Sequence, residues 1–429
     1  MKKINKRNGF TLIELLAVLI VLAVIALITT PLVMNIIENA RKKAFENSVY
    51  GIMETYRLDM AKNLNNIGKS HTFPEANNDL KYNGKEMVGG SIFLDYEDDV
   101  EVRRITDGRY CADGNRRNLK VKKGDCQIDM ATAPILNFTT MQYTDFLHVV
   151  DKTVIESIEF VMVEDFPKGA IDVSAKRNGS VMAWTKDEDS NGLYEVYVGA
   201  INDVIYANPN SGSLFYGTKN LRKLDLRNFD TITATDMHGM FQDAGYSSLD
   251  FTLNLGNKFD TSNVTNMYSM FQNVGYSSPS FTLKLGNKFD TSKVTRMNNM
   301  FYNTGSKASD FTIVLGSKFD TSNVTDMNQM FHGMGSNSSK FTLDLGDKFD
   351  TSKVINMSTM FYNTGFRSKN FILDLGNKFN VDKVTNVNSS FYYTGYSTPN
   401  FKPTAQVKTQ AEKDAILSKF PNIDVTIVP

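Results

Sequence analysis

Phe281-Thr-Leu-Lys-Leu-Gly-Asn-Lys-Phe-Asp-Thr-Ser-Lys-Val-Thr-Arg-Met-Asn-Asn-Met-Phe-Tyr-Asn-Thr-Gly305 returns, with few changes, every 30 residues between positions 221 and 400. Aligned blocks begin at Leu221, Phe251, Phe281, Phe311, Phe341 and Phe371, with no gap between them. A fixed period of this size marks a solenoid, because one short unit cannot bury its apolar face alone and stacks on its neighbours. Within the unit, Phe281, Leu283 and Leu285 alternate as one face of a strand. Val294, Met297, Met300 and Phe301 recur instead at three- or four-residue steps, as along one side of a short helix or 3₁₀ turn. Gly286 and Gly305 fall where the chain must turn between those pieces. The Met and Phe stripe therefore reads as core and not as a cofactor box.

The ends of the array differ from its middle. The last block carries Val387 and Ser390 where the others have Met. Thr409-Gln-Ala-Glu412 then forms a capping box ahead of Ala415, Ile416, Leu417 and Phe420, which predicts a helix closing the array within residues 401–429. Upstream, residues 131–220 read as a β-rich cap, with apolar runs at 158–162, 180–185 and 193–198. Asp187-Glu188-Asp189-Ser190-Asn191-Gly192 starts like a calcium loop, with Asp187, Asp189 and Asn191 at ligand positions. Its twelfth position is Val198, not the bidentate Glu that calcium geometry needs. Asn-Gly is also a strong hairpin signal, so a hairpin is favoured over a metal site.

The whole chain has 429 residues, 47 basic and 47 acidic side chains, 41% hydrophobic residues, two Cys and four His. Such an apolar fraction supports buried cores and excludes wholesale disorder. Zero formal charge gives no global pull on nucleic acid, and the array itself holds 17 Lys and Arg against 15 Asp and Glu, so no nucleic-acid partner is expected. Two thiols cannot form a four-thiolate zinc site. No nucleophile, metal or phosphate-binding constellation appears, so the reading is not an enzyme and has no cofactor.

The amino terminus is more specific. Lys2, Lys3, Lys6 and Arg7 stand without an acid in a leader of residues 1–9, and from Leu15 to Ile28 every residue is apolar. The stretch of about 10–34 reaches the roughly 20 residues that span hydrocarbon, with the basic flank on the cytoplasmic side. Glu14 costs about 2.5 kcal/mol or more in such a helix and so calls for a partner. Apolar positions Ile37, Ala40, Ala44, Tyr56, Met60 and Leu64 extend a helical pattern to about Ile67, giving a rod over 10–67 on the order of 85 Å long. Pro31 removes one of its backbone hydrogen bonds.

Gly9-Phe10-Thr11-Leu12-Ile13-Glu14-Leu15-Leu16 resembles the prepilin motif of type IV pilins and pseudopilins, with Pro31 where many of them kink. The resemblance implies cleavage after Gly9 by a prepilin peptidase and N-methylation of Phe10. It also implies pairing of Glu14 with the new amino group of a neighbouring subunit. Residues 68–130 then read as a small α+β head on the exposed half of the helix. There Cys111 and Cys126 could close a loop of about 15 residues, worth roughly 3 kcal/mol.

Units such as Phe319-Asp-Thr-Ser-Asn-Val-Thr-Asp-Met-Asn-Gln-Met-Phe331 resemble BspA-like leucine-rich-repeat surface proteins. That resemblance implies exposure at the cell surface and binding to host or matrix ligands. Here the units depart from the shorter common repeat around Gly275-Tyr-Ser-Ser278, which leaves the strand register open. Tyr276, Tyr302, Tyr362, Tyr392 and Tyr393 form either an aromatic row for a glycan or protein ligand or a cover over the core edge. Asn263-Val-Thr265 and Asn323-Val-Thr325 match glycosylation sequons, yet read first as turn formers.

Taken together, the expected fold class is α+β: a long pilin-type transmembrane and amphipathic helix, a small head, and a leucine-rich-like β/α solenoid with caps. The expected role is a minor or tip pilin-like subunit that assembles through its helix and presents the repeats for adhesion. Its partners are other pilin-like subunits, the prepilin peptidase, and membrane lipid before assembly. Its place is the cytoplasmic membrane, as a single-pass protein with a cytoplasmic amino terminus, and then the cell surface or pilus. A minor pseudopilin of a secretion or DNA-uptake machine, or an anchored ligand-binding protein that never polymerises, are the alternatives.

Overall fold

A computed structural model describes residues 12–62, 71–73, 82, 84, 87–94, 100–117, 119–124, 133–137, 145–147 and 149–428. The chain forms two compact units, Met1–Ile128 and Asp129–Pro429.

In the first unit helix α1 runs Leu12–Lys62, 51 residues, without a break at Pro31. A five-stranded antiparallel sheet follows in chain order: His71–Phe73, Gly89–Leu94, Val100–Thr106, Tyr110–Asn115 and Lys120–Lys123. Phe45, Val49, Ile52, Met53, Tyr56 and Met60 lie at helical spacing on one face of α1. They bury against Ile92, Val100, Val102, Ile105, Tyr110 and Ala112 of the sheet. The apolar stripe expected from Ile37 through Ala40 and Ala44 is corrected, since those three are exposed and burial begins at Phe45. Leu64 lies outside the described residues. Cys111 is disulfide-bonded; Cys126, the other cysteine of the sequence, lies outside the described residues.

The second unit opens on a six-stranded sheet ordered Thr252–Asn254, Lys223–Asp225, Ile155–Val163, Tyr194–Ile201, Met182–Lys186 and Ile171–Asp172. The first four strands are parallel and the last two antiparallel. Lys223 pairs with Thr252, a register of 29, which aligns the buried Leu224 with Leu253. Farther on the register is 30: Phe281 faces Phe311, and Phe341 faces Phe371. The strands Ser280–Lys284 and Lys340–Asp344 alternate exposed and buried side chains, so Phe and Leu enter the core. Pairing begins upstream of the first aligned block, with Ile205 opposite Phe229 and Asn210 opposite Asp236.

The Met and Phe segment of each repeat is not helical, and its hydrogen bonds give the reason. Phe271 N–H donates to Met300 O at 2.8 Å and Asn273 N–H to Tyr302 O at 2.7 Å, both in the next repeat. The alternate residues bond locally, as Gln272 N–H does to Ser269 O at 3.1 Å and, in the next repeat, Met300 N–H to Met297 O and Tyr302 N–H to Asn299 O, both at 3.1 Å. Alternate amides are thus drawn sideways, which leaves no continuous i→i−4 ladder. Positive φ at Asn299 (+61°), Asn303 (+54°) and Gly305 (+57°) breaks the right-handed run as well. Gly305 has no substitute there, because a Cβ would stand 2.4 Å from Phe311 Cδ2.

The expected fold class is therefore corrected. The molecule is mostly β, with two α-helices among the described residues, α1 and α2 (Gln410–Lys419). The β/α solenoid is replaced by strands and consecutive turns. The strands fall into separate sheets: one pair at Ser280–Lys284 and Asp310–Val314, and a four-stranded parallel group from Lys340–Asp344 through Asn370–Asp374 and Thr404–Val407 to Asp424–Ile427. The transmembrane assignment is not supported either: among the described residues, no helix is long and apolar enough to cross a membrane. Side chains of residues 12–15 and 17–32, where that assignment falls, lie outside the described set.

At the end of the array the capping box is present. Thr409 Oγ1 accepts from Glu412 N–H at 3.2 Å, and Glu412 Oε2 accepts from Thr409 N–H at 2.9 Å. The backbone N–H groups of Lys408 and Thr409, each 2.9 Å from Glu412 Oε2, and then the Thr409 hydroxyl hold the Glu412 carboxyl below its usual range.

Candidate functional site

Three places carry the residues singled out by sequence. At the amino terminus Gly9 and Phe10 lie outside the described residues, and Glu14 and Pro31 belong to α1 with their side chains outside them. Beyond that stretch α1 leaves Val33 50%, Met34 65%, Ile36 67% and Ile37 43% exposed, before the sheet begins to cover it. Four exposed apolar side chains in five residues form a contiguous patch that water does not favour.

Where the head meets the helix, Glu38 is clamped. Its Oε1 accepts from the Tyr110 hydroxyl at 2.6 Å, its Oε2 accepts from Arg109 Nη2 at 2.6 Å, and Lys123 Nζ stands 3.0 Å from Oε1. Donors from Tyr110, then Arg109, then Lys123 hold this carboxyl down at about 2. Arg109 just before the fourth strand, Tyr110 at its start and Lys123 at the end of the fifth thus fasten the sheet to one turn of α1, a positioning role rather than a chemical one.

Asp187, Asp189 and Asn191 occupy the turn of the hairpin between Met182–Lys186 and Tyr194–Ile201. Asp187 Oδ1 and Asp189 Oδ1 accept from Asn191 N–H at 3.0 and 3.2 Å, Asp187 Oδ2 from Gly192 N–H at 3.3 Å, and Asn191 Oδ1 from Leu193 N–H at 2.6 Å. The oxygens are directed at the loop's own backbone, as in Asx turns. Among the described residues no group of His, Cys, Asp or Glu is arranged to hold a metal.

Four of the five tyrosines sort into two columns, not one row, and Tyr393 falls in neither. Tyr302, His332, Tyr362 and Tyr392 stack at centroid distances of 4.6, 4.9 and 5.5 Å, with planes within 29°. Tyr276 belongs to the second column, stacked on Tyr246 at 4.6 Å, and this column resumes at Phe366 and Tyr396, 5.4 Å apart. Face-to-face stacking spends the ring faces on neighbouring rings. His332 joins the first column because its position is 30 residues from Tyr302 and Tyr362; subtraction of the period finds it, whereas a search for tyrosine does not. Burial between those rings pushes its imidazole down to about 4. The sequon residues serve the ladder: Asn263 Nδ2 donates to Ile232 O at 2.9 Å and Asn323 Nδ2 to Ser292 O at 2.7 Å.

Against this geometry the comparisons are informative at two places. Residues 4–30 match the prokaryotic N-terminal methylation motif. Residues 209–312 and 276–402 match a repeat family described as Mycoplasma protein of unknown function, DUF285. This match begins at 209, one residue before the column of bridges that starts at Asn210, and takes the place of the BspA-like assignment, which is not shown. Curated proteins and solved structures gave no match. The chain thus carries a type IV pilin-like processing motif at one end and repeats similar to DUF285 at the other.

Proposed function

We propose that the chain is a minor or tip pilin-like subunit at the cell surface. In this reading prepilin peptidase cuts after Gly9, Phe10 is methylated, and the subunit joins others through α1. The repeat array is then held outward to bind a ligand. The observation that carries the reading is the exposed apolar patch at Val33, Met34, Ile36 and Ile37, continuous in the same helix with the segment that bears the methylation motif. A helix face of that kind gains by packing on other helices.

The test is the mature terminus and its partners. Mass spectrometry should find a protein beginning at N-methyl-Phe10, Gly9→Ala should retain the leader, and Glu14→Ala should leave the subunit processed but absent from sheared filaments. An uncut protein, or one released from cells as single copies with wild-type Glu14, refutes the proposal.

A further inference from the structure

The last repeat breaks a rule that the others keep. The position occupied by Asp243, Asn273, Asn303, Gly333 and Asn363 has φ between +54° and +65°, a conformation that Asn, Asp and Gly tolerate. In the last repeat Tyr393 takes that position at φ +58°. For a bulky residue this is a strained backbone, and such strain persists where other demands outweigh it. Burial of the ring is not the compensation, because Tyr393 is 40% exposed, beside Tyr392 at 51% and Tyr396 at 67%.

Ring orientation changes at the same place. Tyr393 lies crosswise, at 75° to Tyr362, 67° to Phe366 and 89° to Tyr396. Upstream Tyr302, His332 and Tyr362 stack face to face, whereas here Tyr393 crosses its neighbours with its centroid 4.1 Å from that of Tyr392, and all three tyrosines of the cluster are exposed. From Asn386 to Asn400 there is no charged residue, and Asn, Ser, Thr and Tyr dominate; the exposed Arg367 follows Phe366 in the preceding repeat. We propose that this cluster is a platform for a neutral oligosaccharide. The apolar C–H face of a sugar ring would lie on Tyr393 or Tyr396, with its hydroxyls bonding to the adjoining amides and hydroxyls. An anionic polymer finds no cation between 386 and 400 and a single one, Arg367, next to Phe366 in the chain, and a helical peptide would need an apolar groove instead of crossed, hydroxyl-tipped rings.

The inference deepens the ligand-binding part of the proposed function and needs only that the array face outward. Full-length protein in detergent would be applied to immobilised β-linked glucose, mannose and N-acetylglucosamine oligosaccharides, with sulfated and sialylated chains as anionic comparators. Titrations would follow with Tyr393→Asn and Tyr396→Ser, each of which restores a residue found in the same column at Asn363 or Ser336. Expected are binding to a neutral chain by the wild type, at least tenfold weaker binding by each variant, and a Tyr393→Asn protein that melts no lower than the wild type. No binding to any neutral chain, binding to anionic chains alone, or unchanged affinity in the double variant overturns the proposal. Processing and filament localisation, measured separately, bear on the pilin-like reading and leave this result untouched.

Discussion

Thr321 donates its hydroxyl hydrogen to Asp350 O at 2.8 Å and accepts the Asp350 N–H at 2.8 Å, while itself fully buried. Thr231, Thr261, Thr291 and Thr351 repeat the donation at 2.7–2.9 Å, so one hydroxyl per repeat satisfies backbone groups at the next corner. Thr321→Val keeps the shape but strands both groups, and urea denaturation should show a loss of about 2 kcal/mol, with Thr321→Ser losing much less. His332 offers a second test. Its folded-state value of about 4 lies below the usual 6.5, so its neutral form is the stable one. The associated stability is complete above about pH 6.5 and is lost as pH falls toward 4. His332→Tyr should remove that acid dependence in thermal melts and continue the stack between Tyr302 and Tyr362. At this scale the sequence was legible where one residue type carries one role, as at Thr409 and Glu412. It was misleading where a column changes residue type, as at His332, or where two columns share one type, as at Tyr276 and Tyr302.

Elements were legible in period and less so in conformation. The spacing of Val294, Met297, Met300 and Phe301 fits a helix, but it also fits chained turns whose alternate amides bond to the next repeat, and residue spacing alone does not separate the two. Positive φ at Asn299 and Asn303 decides for turns, a preference that Asn carries only in part. In α1, apolar burial starts at Phe45, because beyond it the sheet's contact is the polar one at Glu38, which no helical pattern could announce. The clamp at Glu38 is likewise a contact between distant segments. Its carboxyl, held at about 2 against an ordinary 4.5, contributes stability above about pH 4.5 that disappears between 4.5 and 2. Glu38→Gln should flatten the pH dependence of the first unit in that window and lower its midpoint at neutral pH, as followed by circular dichroism.

The whole molecule divides into units that can be watched separately. Trp184, the one tryptophan of the sequence, lies in Asp129–Pro429, so its fluorescence follows that unit alone, while circular dichroism follows both. Reduction of the Cys111 disulfide should destabilise Met1–Ile128 by roughly 3 kcal/mol and leave the fluorescence transition in place. A single merged transition that shifts in both signals would contradict the division. The lateral bonds between neighbouring repeats have a further consequence. Because consecutive middle units meet through the same contacts at an offset of 30, a tandem duplication or loss of whole units would keep the chemistry at both ends. Each gain would move the crossed tyrosines roughly 5 Å, one strand spacing, farther from the first repeat, so copy number works as a ruler along the array.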